Sequence, residues 1–300
     1  MKLLALVIDQ SPINTQFEPT TSEAASPTVS LTENNCMKIL LTNDDGIHAD
    51  GLIQLARFLK DQGNSVFVVA PATEQSGVSS AITYLSPLFT KPFSTHPSSG
   101  TEVAGAAVSG TPVDCVRLGL NELCPWRPDL VLSGINDGLN AGANVNYSGT
   151  VAGAMTGASL GFKAMAISVE SGPKQEYRRA AESAWPLMEK LVATDFPKNT
   201  FLNVNYPTKA IESEPDFNYH VIPAETNPMG YRYAHGNDPK NRPYYWATNN
   251  PPPEPSPFLT DTQVLRQGKV TATVLSSDIN YHNSELLPDW LSGVSANDPT

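Results

Sequence analysis

Positive charge is scarce in this chain: 19 lysines and arginines stand against 30 aspartates and glutamates, a net charge of −11. That balance argues against tracking a nucleic-acid polymer, which needs a basic stripe and gains affinity from counterion release. A single nucleotide or phosphate ester is a different matter, because one local cation can neutralise it. Cysteine is scarce too. Cys36, Cys115 and Cys124 are odd in number and lack paired metal-type spacing, so they read as reduced thiols and fit a cytoplasmic protein. No run approaches the ~18 apolar residues that span a membrane. The apolar start, Met1 to Ile8, is cut short by Asp9 with no small-residue cleavage site directly after it, so export is not expected. Also missing are a Gly-x-Gly-x-x-Gly after the first strand, a Walker lysine and a Gly-x-Ser-x-Gly elbow. These absences weaken dinucleotide, ATPase and serine-hydrolase readings.

What is present is an alternation of buried-type strands and helices. Residues 1–36 are rich in Ser, Thr, Pro, Glu and Asn and read as a flexible extension. The folded domain is expected over 37–282, and 283–300 is a tail without pattern. Strands are expected at 38–42, 66–70, 129–133, 164–169, 201–205 and 269–275, as continuous aliphatic or β-branched runs. Helices are expected over 50–62, from Thr111 as N-cap to before Pro125, over 151–160, 175–193 and 260–265. Residues 82–108, interrupted by prolines, read as a hairpin-like excursion. Repeated βαβ units with short joins indicate an α/β fold: a doubly wound, mainly parallel, Rossmann-like sheet. After Pro207 the character changes to tyrosines and Trp246 among Gly, Asn and Pro, an irregular or hairpin-containing excursion whose aromatics read as packing residues.

The first strand ends in Asn43-Asp44-Asp45-Gly46. Two adjacent carboxylates repel and lose solvation unless something positive lies between them. The same four residues are also good turn chemistry, so a plain turn fits the stretch as well. Parallel topology brings the loop containing Ser76 and the end of the third long strand, at Asn136, beside the pair. Asp44, Asp45, Ser76 and Asn136 are all hard oxygen donors, which favours Mg²⁺ or Mn²⁺ over zinc. The Gly/Asn-rich loop 134–150, with Asn136, Gly138 and Asn140, leads into a helix starting near Ser148, Gly149 and Thr150. Such a helix N-terminus is an anion site, so these residues and Asn43 are candidate phosphate contacts. Metal-assisted hydrolysis of a phosphate monoester follows, with Asp44 and Asp45 carrying it. His48 is a weaker candidate for a general acid. A non-catalytic nucleotide- or sugar-phosphate-binding module on the same fold is the alternative, and a metal-dependent glycosyltransferase a third.

The successive stretches Asn43-Asp44-Asp45-Gly46-Ile47, Gln75-Ser76-Gly77, Ser109-Gly110-Thr111-Pro112-Val113-Asp114, Ser133-Gly134-Ile135-Asn136 and Tyr147-Ser148-Gly149-Thr150 resemble the motifs of the survival protein SurE family. Asn203-Val204-Asn205-Tyr206-Pro207 and Thr260-Asp261-Thr262 resemble its later ones, so the likeness spans about 37 to 276. The resemblance implies a metal-dependent nucleotidase acting on nucleoside 5′- and often 3′-monophosphates, sometimes on short polyphosphate. It implies metal ligation by Asp44, Asp45, Ser76 and Asn136, and a homodimer or homotetramer using exchanged C-terminal elements. Ala72 and Thr73 depart from the Asp and Arg-like residues usual there, Thr156 from a Glu, and Asp50 from a common proline.

Overall fold

A computed structural model describes residues 36–95, 100–172, 176–213, 219–228, 230, 232–248 and 254–279. The expectations for residues 1–35, for Tyr231, for Pro251, Pro252 and Pro253, and for the tail from 283 lie outside these residues.

Strand β1 (Lys38–Thr42) is aliphatic because helices cover both of its faces. Helix α1 (Asp50–Asp61) buries Leu52, Leu55, Ala56 and Leu59, the stripe expected from their spacing. Strand β2 (Ser65–Pro71) then lies parallel to β1. The chain continues through β3 (Thr90–Ser94), β4 (Ala104–Val108), α2 (Pro112–Leu118), β5 (Leu130–Asp137), α3 (Gly149–Ser159), β6 (Lys163–Val169), α4 (Tyr177–Ala193) and β7 (Thr200–Tyr206). Strands β4, β2, β1, β5, β6 and β7 are mutually parallel neighbours in that order. The order reverses at β1: β2 lies on one side of it and β5 on the other. The crevice between the carboxyl ends of β1 and β5 is therefore the topological switch point of a doubly wound sheet.

Two core layers flank the sheet. One joins Ile39, Leu41 and Leu132 to α1 and α4 through Leu55, Leu59, Ala180 and Met188; the other joins Leu40, Val131 and Ala166 to α2 and α3. Helix α3 approaches the sheet closely because it is built of small residues: a Cβ on Gly157 would lie 2.8 Å from Val131 Cβ, and one on Gly153 2.7 Å from Ser133 Oγ. Helix α2 starts as expected, with a capping box between Thr111 and Asp114 and Pro112 behind the cap.

Three expectations need correction. The hairpin-like pairing expected over 82–108 is present as β3 and β4, but it is not an excursion: β4 joins the main sheet parallel to β2, and β3 closes the edge antiparallel to β4. The edge position is what tolerates Pro92 inside β3. Strand β5 runs on to Asp137, well past residue 133, so Asn136 belongs to the sheet rather than to the loop. The C-terminal aromatics do not pack. Strands β9 (Arg232–Asn237) and β10 (Pro243–Thr248) form a separate two-stranded ribbon, and among the described residues Tyr245 and Trp246 stay 74% and 72% exposed. The remaining elements are a short helix α5 (Thr208–Ser213), β8 (His220–Val221), α6 (Asp261–Arg266) and the closing strand β11 (Thr271–Ser276), antiparallel to β7.

Glu225 ties the two roots of the ribbon together. Its carboxylate accepts the Ser256 N–H and Oγ–H, the Asn227 N–H and the Thr260 hydroxyl. Burial pushes this carboxyl up, but the hydrogen bonds outweigh it and hold it down at about 2, against an ordinary 4.5. A group depressed in the folded state stabilises above its unfolded value and loses that contribution as pH falls. Acid unfolding should therefore steepen as pH drops from 4.5 towards about 2, and Glu225→Gln should flatten that limb of an acid titration followed by circular dichroism. In the core, Leu132 is fully buried beside β1, so Leu132→Ala is expected to lower urea stability by about 2–5 kcal/mol.

Candidate active site

Strand β1 delivers a turn that Asn43 closes on itself: its Nδ2 donates to the Gly46 carbonyl at 3.0 Å, and its Oδ1 accepts the Gly46 N–H at 3.2 Å. The turn and metal readings of this stretch are thus compatible, with Asn43 making the turn and its two neighbours left to face the crevice. Asp44 is 4% exposed and its carboxylate meets the first turn of α3. It accepts the Thr150 hydroxyl, and the nearby N–H groups of Gly149 and Thr150 favour its charged form. The approach requires glycine at 149, where a Cβ would stand 2.8 Å from Asp44 Cβ and 2.9 Å from its Oδ2. Ser148 caps the helix itself, taking the Val151 N–H at 3.1 Å.

Asp45 faces the end of β5, where its Oδ2 accepts the Asp137 N–H at 3.2 Å. The residue before it, Asn136, donates from Nδ2 to the Gly138 carbonyl at 2.7 Å, which leaves its Oδ1 as the atom available to a ligand. The loop after β2 folds over the turn: Gln75 N–H donates to the Asp44 carbonyl at 2.7 Å. Ser76, next along, is exposed and donates its hydroxyl to Glu74 at 2.8 Å. A serine oxygen used in this way keeps lone pairs for a cation.

Burial raises both carboxyls of the pair. For Asp44 the hydrogen bonds from Thr150 partly oppose the effect of burial. Asp45 is pushed up to about 6, by burial first, then by the negative charge of Asp44, with Asp137 and Glu74 adding to it against the Asp137 N–H bond. No lysine or arginine pairs with Asp44 or Asp45 among the described residues. Tyr177 on α4 feels the same field: burial and the charges of Asp137, Asp45 and Asp50 raise its hydroxyl to about 12. Uncompensated negative charge among hard oxygen donors is what a divalent cation relieves, so this donor set fits Mg²⁺ or Mn²⁺.

The sequence-predicted residues therefore divide. Asp44, Asp45, Asn136, Gly149 and Thr150 are gathered at the switch point, with the Ser76 loop alongside. Asn43, Gly138, Asn140 and Ser148 spend their polar groups inside the protein. The Gly138 N–H goes to the Val169 carbonyl, and Asn140 Nδ2 goes to Ser168 Oγ at 2.9 Å. His48 is exposed and rests edge-on against Phe93 of β3, with ring centroids 5.5 Å apart. Glu74 and Asp137, which shape the field at Asp45, were not expected. The available signal was their position beside Ser76 and Asn136.

Fold and crevice together place the chain among doubly wound α/β proteins that carry an acidic, oxygen-rich ligand site at the switch point. A family model described as survival protein SurE matches residues 39–224, and the chain belongs to that family. It is 45% identical to a 5′-nucleotidase SurE of Rhodopirellula baltica, over 85% of this chain and 98% of that one. It is 38% identical to a 5′-nucleotidase SurE of Heliobacterium modesticaldum, over 87% and 94%. The crystal structure of the SurE protein from Aquifex aeolicus superposes with a TM-score of 0.67 at 31% identity, covering 85% of this chain and 98% of that one.

Because Gly149 touches the root of the Asp44 side chain and not a flexible tip, Gly149→Ala cannot be absorbed by a rotamer change. It is expected to cost about 1–3 kcal/mol in a denaturant melt by overpacking. Phosphatase activity should fall by more than the loss of folded protein accounts for, measured at a temperature where the variant is fully folded.

Proposed function

We propose that this chain is a divalent-metal-dependent phosphomonoesterase that hydrolyses nucleoside 5′-monophosphates, and also 3′-isomers and short polyphosphate, to release inorganic phosphate. The observation that carries the reading is the Asp44–Asp45 pair, which is held at the switch point by β1 and α3, with the charges of Asp44, Asp137 and Glu74 acting on Asp45 and no lysine or arginine paired with either acid among the described residues. Asp44, Asp45, Ser76 and Asn136 would hold Mg²⁺ or Mn²⁺, which when bound supplies Lewis-acid polarisation of a phosphoryl oxygen and a lowered pKa for water.

The chain's own groups do the rest. Asp44 and Asp45 would repel a phosphate dianion unless a cation compensated their charge. The Thr150 hydroxyl orients Asp44 and, with the Gly149 and Thr150 N–H groups, favours its charged form against the larger effect of burial. Asn136 sits where its amide can orient a phosphoryl oxygen, and the first turn of α3 lends its positive end to the same side of the crevice. Asn43, Gly138, Asn140 and Ser148 act by shaping the turn, the loop and the helix start that frame the phosphate.

A homodimeric or homotetrameric assembly is part of the proposal. The aromatic ribbon of β9 and β10 exposes Tyr244, Tyr245 and Trp246, a surface that a subunit contact would cover. A cytoplasmic location is proposed on the free thiols of Cys36, Cys115 and Cys124. Among the described residues no helix is long and apolar enough to cross a membrane.

The test is phosphate release from AMP, GMP and short polyphosphate with Mn²⁺ or Mg²⁺, with and without chelator. Chelation should abolish turnover, and Asp44→Asn should lower kcat by about two orders of magnitude or more, as loss of a reaction-centre electrostatic group does. An Asp44→Asn protein with full metal-dependent activity would overturn the assignment. Tight nucleotide binding without turnover under any divalent metal would favour the binding-module reading instead.

A further inference from the structure

The machinery above leaves unused a fully buried carboxylate, Asp261, at the start of α6. A buried carboxylate is costly unless donors satisfy it. Asp261 has three: its Oδ1 accepts the Glu225 N–H at 2.8 Å and the Thr262 N–H at 2.7 Å, while its Oδ2 accepts the Gly142 N–H at 2.9 Å. The first two bonds are local to the C-terminal segment. The third reaches 119 residues back along the chain, into the connection between β5 and α3.

Gly142 is fitted to that contact. Its φ is +58°, and a Cβ there would lie 2.9 Å from Thr262 Cγ2 and 3.2 Å from Glu225 Cβ. Two residues earlier, the Asn140 N–H donates to Asn205 Oδ1 at 2.8 Å, and its carbonyl accepts from Asn203 and Asn205 Nδ2 at 2.8 and 3.0 Å. The connection is thus clamped at two neighbouring points, one on β7 and one on α6, at the start of a 3₁₀ turn (Gly142–Tyr147) that leads directly into α3. Residues 149 and 150 then meet Asp44.

We propose that Asp261 is a positioning residue for the phosphatase reaction: by holding Gly142, it sets the connection that presents Gly149 and Thr150 to Asp44. The inference rests on the reading of Asp44 as a metal-holding group. It assigns to the segment beyond the aromatic ribbon a role in the reaction at the opposite end of the β5–α3 connection.

Asp261→Asn separates this role from a structural one. With its oxygen kept towards Glu225 and Thr262, the amide turns its NH₂ onto the Gly142 N–H, so only the long-range clamp is lost. Mn²⁺ affinity, read by calorimetry and by the Mn²⁺-induced rise in Tm, should weaken about 10-fold or more, as loss of outer support to a ligand does. Hydrogen exchange across residues 139–150 should accelerate, and excess Mn²⁺ should recover most of kcat. Should that variant fail to fold, Gly142→Ala disturbs the same contact from the other side and is held to the same measurements. A lowered Tm with wild-type Mn²⁺ affinity would make Asp261 merely structural and overturn the inference. So would faster exchange without loss of affinity. A wild-type protein that neither binds Mn²⁺ nor releases phosphate would instead sink the phosphatase reading, and this inference with it.

Discussion

The carboxylate of Asp44 against the first turn of α3 is the constraint on which the other features of the crevice depend. Burial works against it, and it is held by the Thr150 hydroxyl, with the N–H groups of Gly149 and Thr150 favouring its charged form. Hydrogen bonds to a charged group are worth about 1.5–3 kcal/mol each, and a helix N-terminus adds about 0.3–1 kcal/mol. The helix must come close enough to deliver those donors, which is why Gly149 has no side chain. The same closeness carries down the helix, where Gly153 and Gly157 rest on Ser133 and Val131. A larger residue at any of these positions would lift α3 from the sheet and withdraw the donors from Asp44. Small-residue packing and the ionisation of one aspartate are thus a single requirement.

Much of this was legible in the sequence, and the limits have physical causes. Strands β1, β2, β5, β6 and β7 announce themselves as aliphatic runs because helices bury both faces. Strand β4 does not, since Ala-Gly-Ala-Ala-Val lacks bulk; a Cβ on its Gly105 would stand 2.0 Å from the Val68 carbonyl oxygen. At the crevice, Asp44, Asp45 and Asn136 are readable as polar residues where buried strands stop. The Asp44–Thr150 bond joins residues 106 apart and leaves no local trace. Asn140 shows a different limit. A Gly/Asn-rich loop looks the same whether its donors face a ligand or the sheet, and here Asn203 and Asn205 of β7 draw Asn140 inward. Those two asparagines of β7 are what give the loop its course.

The acidic residues separate into two populations by what surrounds them. Glu225 is buried yet held down at about 2, because the N–H and O–H groups of Ser256, Asn227 and Thr260 saturate its oxygens. Asp45 is pushed up to about 6, because after burial the next influence on it is another carboxylate. A carboxylate supplied with protein donors has its charge fully accounted for and holds segments together. One that faces Asp44, Asp137 and Glu74 has charge left over, and such residual charge has no structural use. Folding alone would favour neutral residues at 44 and 45, since an asparagine could close the same turn without the repulsion. Keeping the acids destabilises the crevice unless a cation completes it, and perturbed carboxyls in a crevice mark functional positions for that reason. The contrast between two environments in one chain is what supports the proposed metal-holding role, and the presence of acidic residues is not by itself the argument.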